Sequence, residues 1–350
     1  MKQENYFIDF LRFIFSMCIL FYHSWIFAGE FGNGFFNSGY LAVDFYFIVT
    51  GFLMMNSIYK KNYEKVSVLN GSFNYLFNKV KKLLPSLIAA FFVGVIFVYG
   101  KSCVYEPSLL VSDKLLPELL QLGIFGYDMT VNSSWWYISA MIFSMALLCP
   151  LAIKYKDDYC KYIAPLIIVF TLGFIKMNNI IIDDPVNISY FLRNGFYQAL
   201  IFIPLGNIAY VVTDIIKRKE YKKTKLNILS CLEIGIYIML FLNMHYLFID
   251  RFLFVLLMVF NISLTFSNIT FSSKLFKHSI WKKLGDYGFY IYLCNISIRT
   301  FMINNYLNLG LSYKALFFKF VILSCLTGLL LYVGVEIIYK KIFMVSKSRS

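Results

Sequence analysis

The sequence predicts an all-α, polytopic integral membrane protein of about ten transmembrane helices, with both termini cytoplasmic. Three observations carry that prediction. First, 59% of the 350 residues are hydrophobic and only 15% are charged, against roughly 25% charged in a soluble domain. Second, the apolar residues fall in long runs, several reaching the roughly 20 residues that cross a bilayer. Third, basic residues collect in alternate segments between those runs.

The first run, 7–28, is too long for the apolar region of a signal peptide and lacks a small-residue cleavage site, so it reads as a retained span. The second, 39–58, opens on glycine and carries one carboxylate, Asp44. Runs at 83–100, 135–153, 162–180 and 191–212 follow. Those at 227–246 and 251–270 are separated by residues 247–250 alone and form a tight hairpin. The last two are 284–304 and 315–339. The longest polar intervals, 59–82, 101–133 and 213–226, leave no room for a sizeable soluble domain. The chain is therefore one membrane domain over 1–343 with a short basic tail, 344–350.

With a cytoplasmic N-terminus, 24 of the 33 Lys and Arg fall in inner segments, six in outer loops or at their edges, and three (Arg12, Arg299 and Lys319) inside spans. That asymmetry fits an even number of spans. It also accounts for the net charge of +14 without invoking nucleic acid, for which no binding motif is present. The outer loops are acidic, with Glu106, Asp113, Glu118, Asp128, Asp183, Asp184 and Asp250, and read as a solvated surface. The seven cysteines include no CxxC pair and no Cys/His cluster, so no metal is expected.

Ionisable side chains in the hydrocarbon are costly and mark candidate sites. They are Asp9, Arg12, His23, Asp44, Glu233, Asp286, Arg299, Lys319 and Glu336. Arg12 and His23 are eleven residues apart, which brings a helix round to nearly the same direction after a rise of about 16 Å. Arg12, Ser16 and His23 thus form one polar stripe, with Ile19 between. Histidine is the side chain best suited to proton transfer near neutral pH. Asp44 either pairs with Arg12 or His23 to hold the bundle together, or orients the histidine, or both. Gly39 and Gly51 permit close helix approach or local unwinding. Lys79, Lys81 and Lys82, just ahead of Pro85, serve either as a topology signal with anionic lipid contact or as a phosphate site.

Together these segments resemble the acyltransferase 3 family of bacterial membrane acyltransferases. The resemblance rests on Arg12, His23, Gly39, Val43, Asp44, Phe45, Thr50, Gly51, Phe52, Lys79, Lys81, Lys82 and Pro85, in that order and spacing. Ser133-Ser134-Trp135-Trp136-Tyr137-Ile138-Ser139-Ala140 resembles the family's entry into a middle span. Leu284-Gly285-Asp286-Tyr287-Gly288-Phe289-Tyr290-Ile291-Tyr292-Leu293 resembles its late segment, which often ends in Trp-His and here ends in Cys294-Asn295. Lysine stands where the family's basic stretch usually carries arginine.

The resemblance implies transfer of an acyl group, usually acetyl, from cytoplasmic acyl-CoA to a hydroxyl of a cell-surface glycan or its lipid-linked precursor. On that implication Lys79, Lys81 and Lys82 hold the CoA phosphates, and Arg12 stabilises the thioester end or a phosphate. His23 is general base or transient acyl carrier, and Asp44 orients it. Acetyl-CoA is the co-substrate, and glycan and membrane lipids are the partners. The alternative is a transporter or flippase for a lipid-linked sugar or small molecule, which would work without acyl-CoA. A non-enzymatic membrane component would instead use the three residues as structural ion pairs.

Overall fold

In lipid every backbone N–H and C=O must be satisfied internally, so an apolar run becomes a helix. The computed structural model describes residues 5–28, 35–61, 67–100 and 115–347, with side chains to 338. Ten long helices dominate them. They are α1 (Tyr6–His23, extended as a 3-10 turn over Ser24–Ala28), α2 (Ala42–Lys60), α3 (Val68–Tyr99), α4 (Trp136–Lys154) and α5 (Ala164–Met177). The others are α6 (Asn194–Arg218), α7 (Lys223–Tyr246), α8 (Arg251–Ser267), α9 (Ile280–Tyr306) and α10 (Tyr313–Lys347). A two-residue antiparallel ribbon, β1 (Ile188–Ser189) and β2 (Leu192–Arg193), pairs Ile188 with Arg193 ahead of α6.

The protein is an all-α polytopic membrane protein. Among the described residues, eight helical segments are long and apolar enough to cross a bilayer. The two remaining long helices differ for separate reasons. Helix α8 is apolar but has only 17 residues. Helix α9 has 27 residues but carries Lys282, Lys283, Asp286, Asn295 and Arg299. Lys282 and Lys283 are exposed at its start, and beyond them it packs against α1, α3 and α10, with residues 290–298 buried throughout.

Two helix pairs run parallel. Helices α1 and α9, first and ninth, run parallel: Asp9 meets Gly285, Ser16 meets Gly288 and His23 meets Asn295. Helices α2 and α6, second and sixth, run parallel through Asp44 to Gln198 and Gly51 to Ile203. The α2–α6 contact is the tighter: a Cβ on Gly51 would lie 2.0 Å from the Ile203 carbonyl, and one on Gly206 would lie 2.0 Å from that of Ile48. Only glycine permits that approach.

Two expectations are corrected. The third helix begins at Val68 rather than 83, started by Ser67, whose hydroxyl accepts from the Asn70 N–H, and it continues through Pro85. Most of the polar interval 59–82 is therefore helix. The acidic loops are not simply solvated. Glu118 is fully buried and accepts the N–H groups of Val131 and Asn132 at 2.9 and 2.6 Å. Burial raises its carboxyl above the ordinary range while those N–H donors pull the other way. Asp250 caps α8 through the N–H groups of Phe252 and Leu253. Helix α10 runs on to Lys347. Glu106 and Asp113 lie outside the described residues.

Candidate functional site

The seam between α1 and α9 holds five of the nine intramembrane ionisable candidates: Asp9, Arg12, His23, Asp286 and Arg299. Helix sense sets its order. Asp9 and Arg12 stand near the start of α1, beside Asp286 near the start of α9; His23 ends α1 beside Asn295, farther along α9.

At the first end, Arg12 Nη1 donates to Asp9 Oδ1 at 2.9 Å and to Asp286 Oδ1 at 3.4 Å. Lys79 on α3 is partly buried and close enough for its charge to act against that of Arg12. Lys81 and Lys82 are exposed on the same helix. The structure thus brings Lys79 to Arg12 and leaves the other two lysines on the surface of that end. Two carboxylates largely neutralise Arg12, so the cluster's free positive charge belongs to the lysines.

Midway, Tyr46 on α2 donates its hydroxyl hydrogen to the Arg12 carbonyl oxygen, so Ser16 Oγ donates to Tyr46 Oη, 2.6 Å away. Beside this pair lies a narrow cavity of about 20 Å³, lined by Arg12, Ser16, Ile19, Tyr46, Tyr137 and Tyr292 among others. It has room for about one water. The stripe expected on α1 is thus a physical seam, faced by tyrosines from α2, α4 and α9.

At the far end, His23 Nδ1 lies 2.6 Å from Asn295 Oδ1. The Asn295 amide is itself fixed: its Nδ2 donates to the carbonyls of Tyr292 at 2.7 Å and Ile291 at 3.3 Å. With the NH2 group committed, Oδ1 faces the imidazole and can only accept, so Nδ1 carries the hydrogen. Nε2 is left with a lone pair, the state a general base requires. Arg299, one helical turn beyond Asn295, acts electrostatically on both His23 and Tyr22.

Asp44 is at the same end but does not hold His23, which corrects the expectation that it orients the imidazole or pairs with Arg12. It is fully buried and takes a two-pronged ion pair from Arg251, Nη2 to Oδ1 at 2.8 Å and Nε to Oδ2 at 3.1 Å. Gln198 Nε2 adds a third donor at 2.7 Å. Arg251 also pairs with Asp183 and lies over the rings of Phe202 and Tyr40. The carboxylate therefore ties α2 to α6 and α8. Its link to His23 is indirect, through the neighbouring rings of Tyr40 and Tyr22.

Asn295, which engages His23, is the residue of this seam that pattern reading missed. The available signal was its position, where the resembling late segment often carries histidine. Of the other intramembrane candidates, Glu233 accepts from the Thr265 hydroxyl at 2.6 Å in a buried nest, Lys319 lies 3.5 Å over the Tyr306 ring, and Glu336 acts on Asp286.

The fold defines the class: a polytopic helical membrane protein with a polar seam between two of its helices. The model of the acyltransferase domain family, acyltransferase 3, matches residues 5–335, nearly the whole chain. The protein belongs to that family and is a membrane acyltransferase. No curated protein and no solved structure matches it.

Proposed function

We propose that the protein is an O-acetyltransferase of a bacterial cytoplasmic membrane, taking acetyl from acetyl-CoA at its basic end. The acceptor in this reading is a hydroxyl of a cell-surface polysaccharide or of its lipid-linked precursor. The observation that carries it is His23, whose Nδ1 is engaged by Asn295 and whose Nε2 has no hydrogen-bond partner among the described residues. Lys79, Lys81 and Lys82 offer point charges for the CoA phosphates. Arg12, beside Lys79, organises that end through Asp9 and Asp286 rather than meeting the thioester at His23, which is about 16 Å along the helix. In this reading the extended pantetheine arm follows the seam from the lysines towards His23. The seam must widen to admit the arm, since it now holds about one water. Asp44 supports the site by fixing α2 against α6 and α8.

The test is O-acetyl content of surface glycans, by NMR, in three strains. One lacks the protein, one carries the wild type, and one carries His23→Ala at matched membrane levels. Acetylation that depends on both the protein and His23 is expected, and the glycan that loses acetate names the acceptor. Identical acetylation in all three strains sinks the reading. A transporter would instead move unmodified substrate in vesicles without acyl-CoA.

A further inference from the structure

Four buried or partly buried arginines stand out, and three are accounted for. Arg12 has Asp9 and Asp286, Arg251 has Asp44 and Asp183, and Arg193 donates to the carbonyls of Gly123, Val186 and Tyr127. Arg299 is the exception. Among the described residues no carboxylate pairs with it, and its buried Nε has no hydrogen-bond partner. An unpaired guanidinium in a membrane bundle is expensive to hold.

Its position gives it a use. Arg299 and Asn295 are four residues apart on α9 and so project from one face. Asn295 is the residue that holds His23. The Arg299 charge also reaches His23 and Tyr22. An imidazole with a free Nε2 and an uncommitted cation therefore share one corner of the seam.

We propose that Arg299 is a catalytic residue that receives the acyl carbonyl oxygen as it becomes an oxyanion. The inference rests on the acyl-transfer reading above. The acceptor hydroxyl oxygen attacks the thioester carbonyl carbon and forms the new C–O bond, while its proton passes to His23 Nε2. The carbonyl π pair moves onto oxygen, and the negative charge that develops meets the Arg299 guanidinium. Collapse restores the carbonyl and breaks the C–S bond. The sulfur leaves with the pair and takes the proton back from His23, giving free CoA thiol and the ester. Arg12 cannot fill this role. It is about 16 Å away along α1 and already faces two carboxylates.

The test uses the full-length protein in phosphatidylglycerol/phosphatidylethanolamine vesicles. Acetyl-CoA is the donor, and surface glycan from the strain lacking the protein is the acceptor. Released CoA thiol and glycan-bound acetate are both read. Arg299→Gln is expected to lower kcat about 10²–10³-fold, with KM for acetyl-CoA and for glycan unchanged. Ethylguanidinium is expected to restore part of the activity of Arg299→Ala. Wild-type kcat in Arg299→Gln, or a loss confined to KM for glycan, overturns the inference; the latter would make Arg299 an anchor for an acceptor anion. If Arg299→Gln does not insert, Arg299→Lys decides. Folded and above about a tenth of wild-type kcat it supports a charge role, and folded but as inactive as His23→Ala it overturns it. If the wild type releases no thiol and acetylates no glycan, the acyl-transfer reading itself fails, a distinguishable result.

Discussion

Which hydrogen sits on which nitrogen decides what His23 can do. The Asn295 amide settles it by spending its NH2 on two backbone carbonyls of its own helix. Asn295→Ala removes the acceptor at Nδ1 and frees the ring to rotate or change tautomer. Because a positioned base contributes typically 10²–10⁴-fold, this variant is expected to lose about 10²-fold in kcat with KM for acetyl-CoA unchanged. A merely structural asparagine would not move the imidazole nitrogen shifts. So 15N spectra of histidine-labelled protein, with His23→Gln as the subtraction among the three histidines, should lose the single Nδ1-protonated form. Unchanged shifts together with unchanged kcat would remove Asn295 from the site. The Arg12–Ser16–His23 stripe was legible because all three lie on one helix and helical geometry fixes their relative direction. Arg299 was legible only as a charge inside a span, and neither it nor Asn295 could be assigned to the α1–α9 seam. Helix α9 is polar on several faces, and nothing local says which face meets α1. The Arg251–Asp44 pair spans 207 residues of chain, a distance over which local pattern carries no information.

Between elements, backbone approach decides the arrangement. The glycines of α2 and α6 let two helices touch carbonyl to Cα, while Phe52 of α2 stacks on Phe266 of α8 with centroids 3.8 Å apart. Gly206→Ala would place a methyl group 2.0 Å from the Ile48 carbonyl oxygen and 2.8 Å from its carbon. Backbone must move to relieve this, so the cost is expected at or above the upper end of the roughly 1–3 kcal/mol typical of overpacking. Gly235, in the middle of α7, has open space where its Cβ would stand. There alanine is expected to stabilise by about 0.8–1 kcal/mol through helix propensity alone. Thermal unfolding of both variants in one detergent should give opposite signs, and a Gly206→Ala protein as stable as wild type would contradict the close approach. The number of helices could be read from apolar run length, because a lipid-facing helix must be apolar along its length. The start of α3 could not. Residues 68–82 are polar enough to resemble a loop, and their helicity rests on a Ser67 cap and packing of one face only.

At the scale of the molecule, the two polar clusters of the α1–α9 seam lie at opposite ends, and charge separates the same way. The end holding Arg12 also carries Lys79, Lys81, Lys82, Lys217, Arg218, Lys223 and Lys225, placed there by the directions of α3, α6 and α7. The end holding His23 carries Asp183, Asp184 and Asp250 in the turns leading to α6 and α8. Basic residues accumulate on the cytoplasmic side, so the donor would enter beside Arg12 and the acyl group would leave beside His23. That vectorial reading makes a prediction independent of catalysis. In a background with the native cysteines replaced, Asn187→Cys and Lys219→Cys each expose one thiol, in the turn before α6 and just after it. A membrane-impermeant maleimide added to intact cells should label Asn187→Cys and leave Lys219→Cys untouched until the cells are opened. Labelling of Lys219→Cys from outside would invert the molecule and place the lysines where no cytoplasmic acyl-CoA can meet them. His23 would then face the cytoplasm, and the acceptor would have to be an intracellular hydroxyl compound rather than a surface glycan.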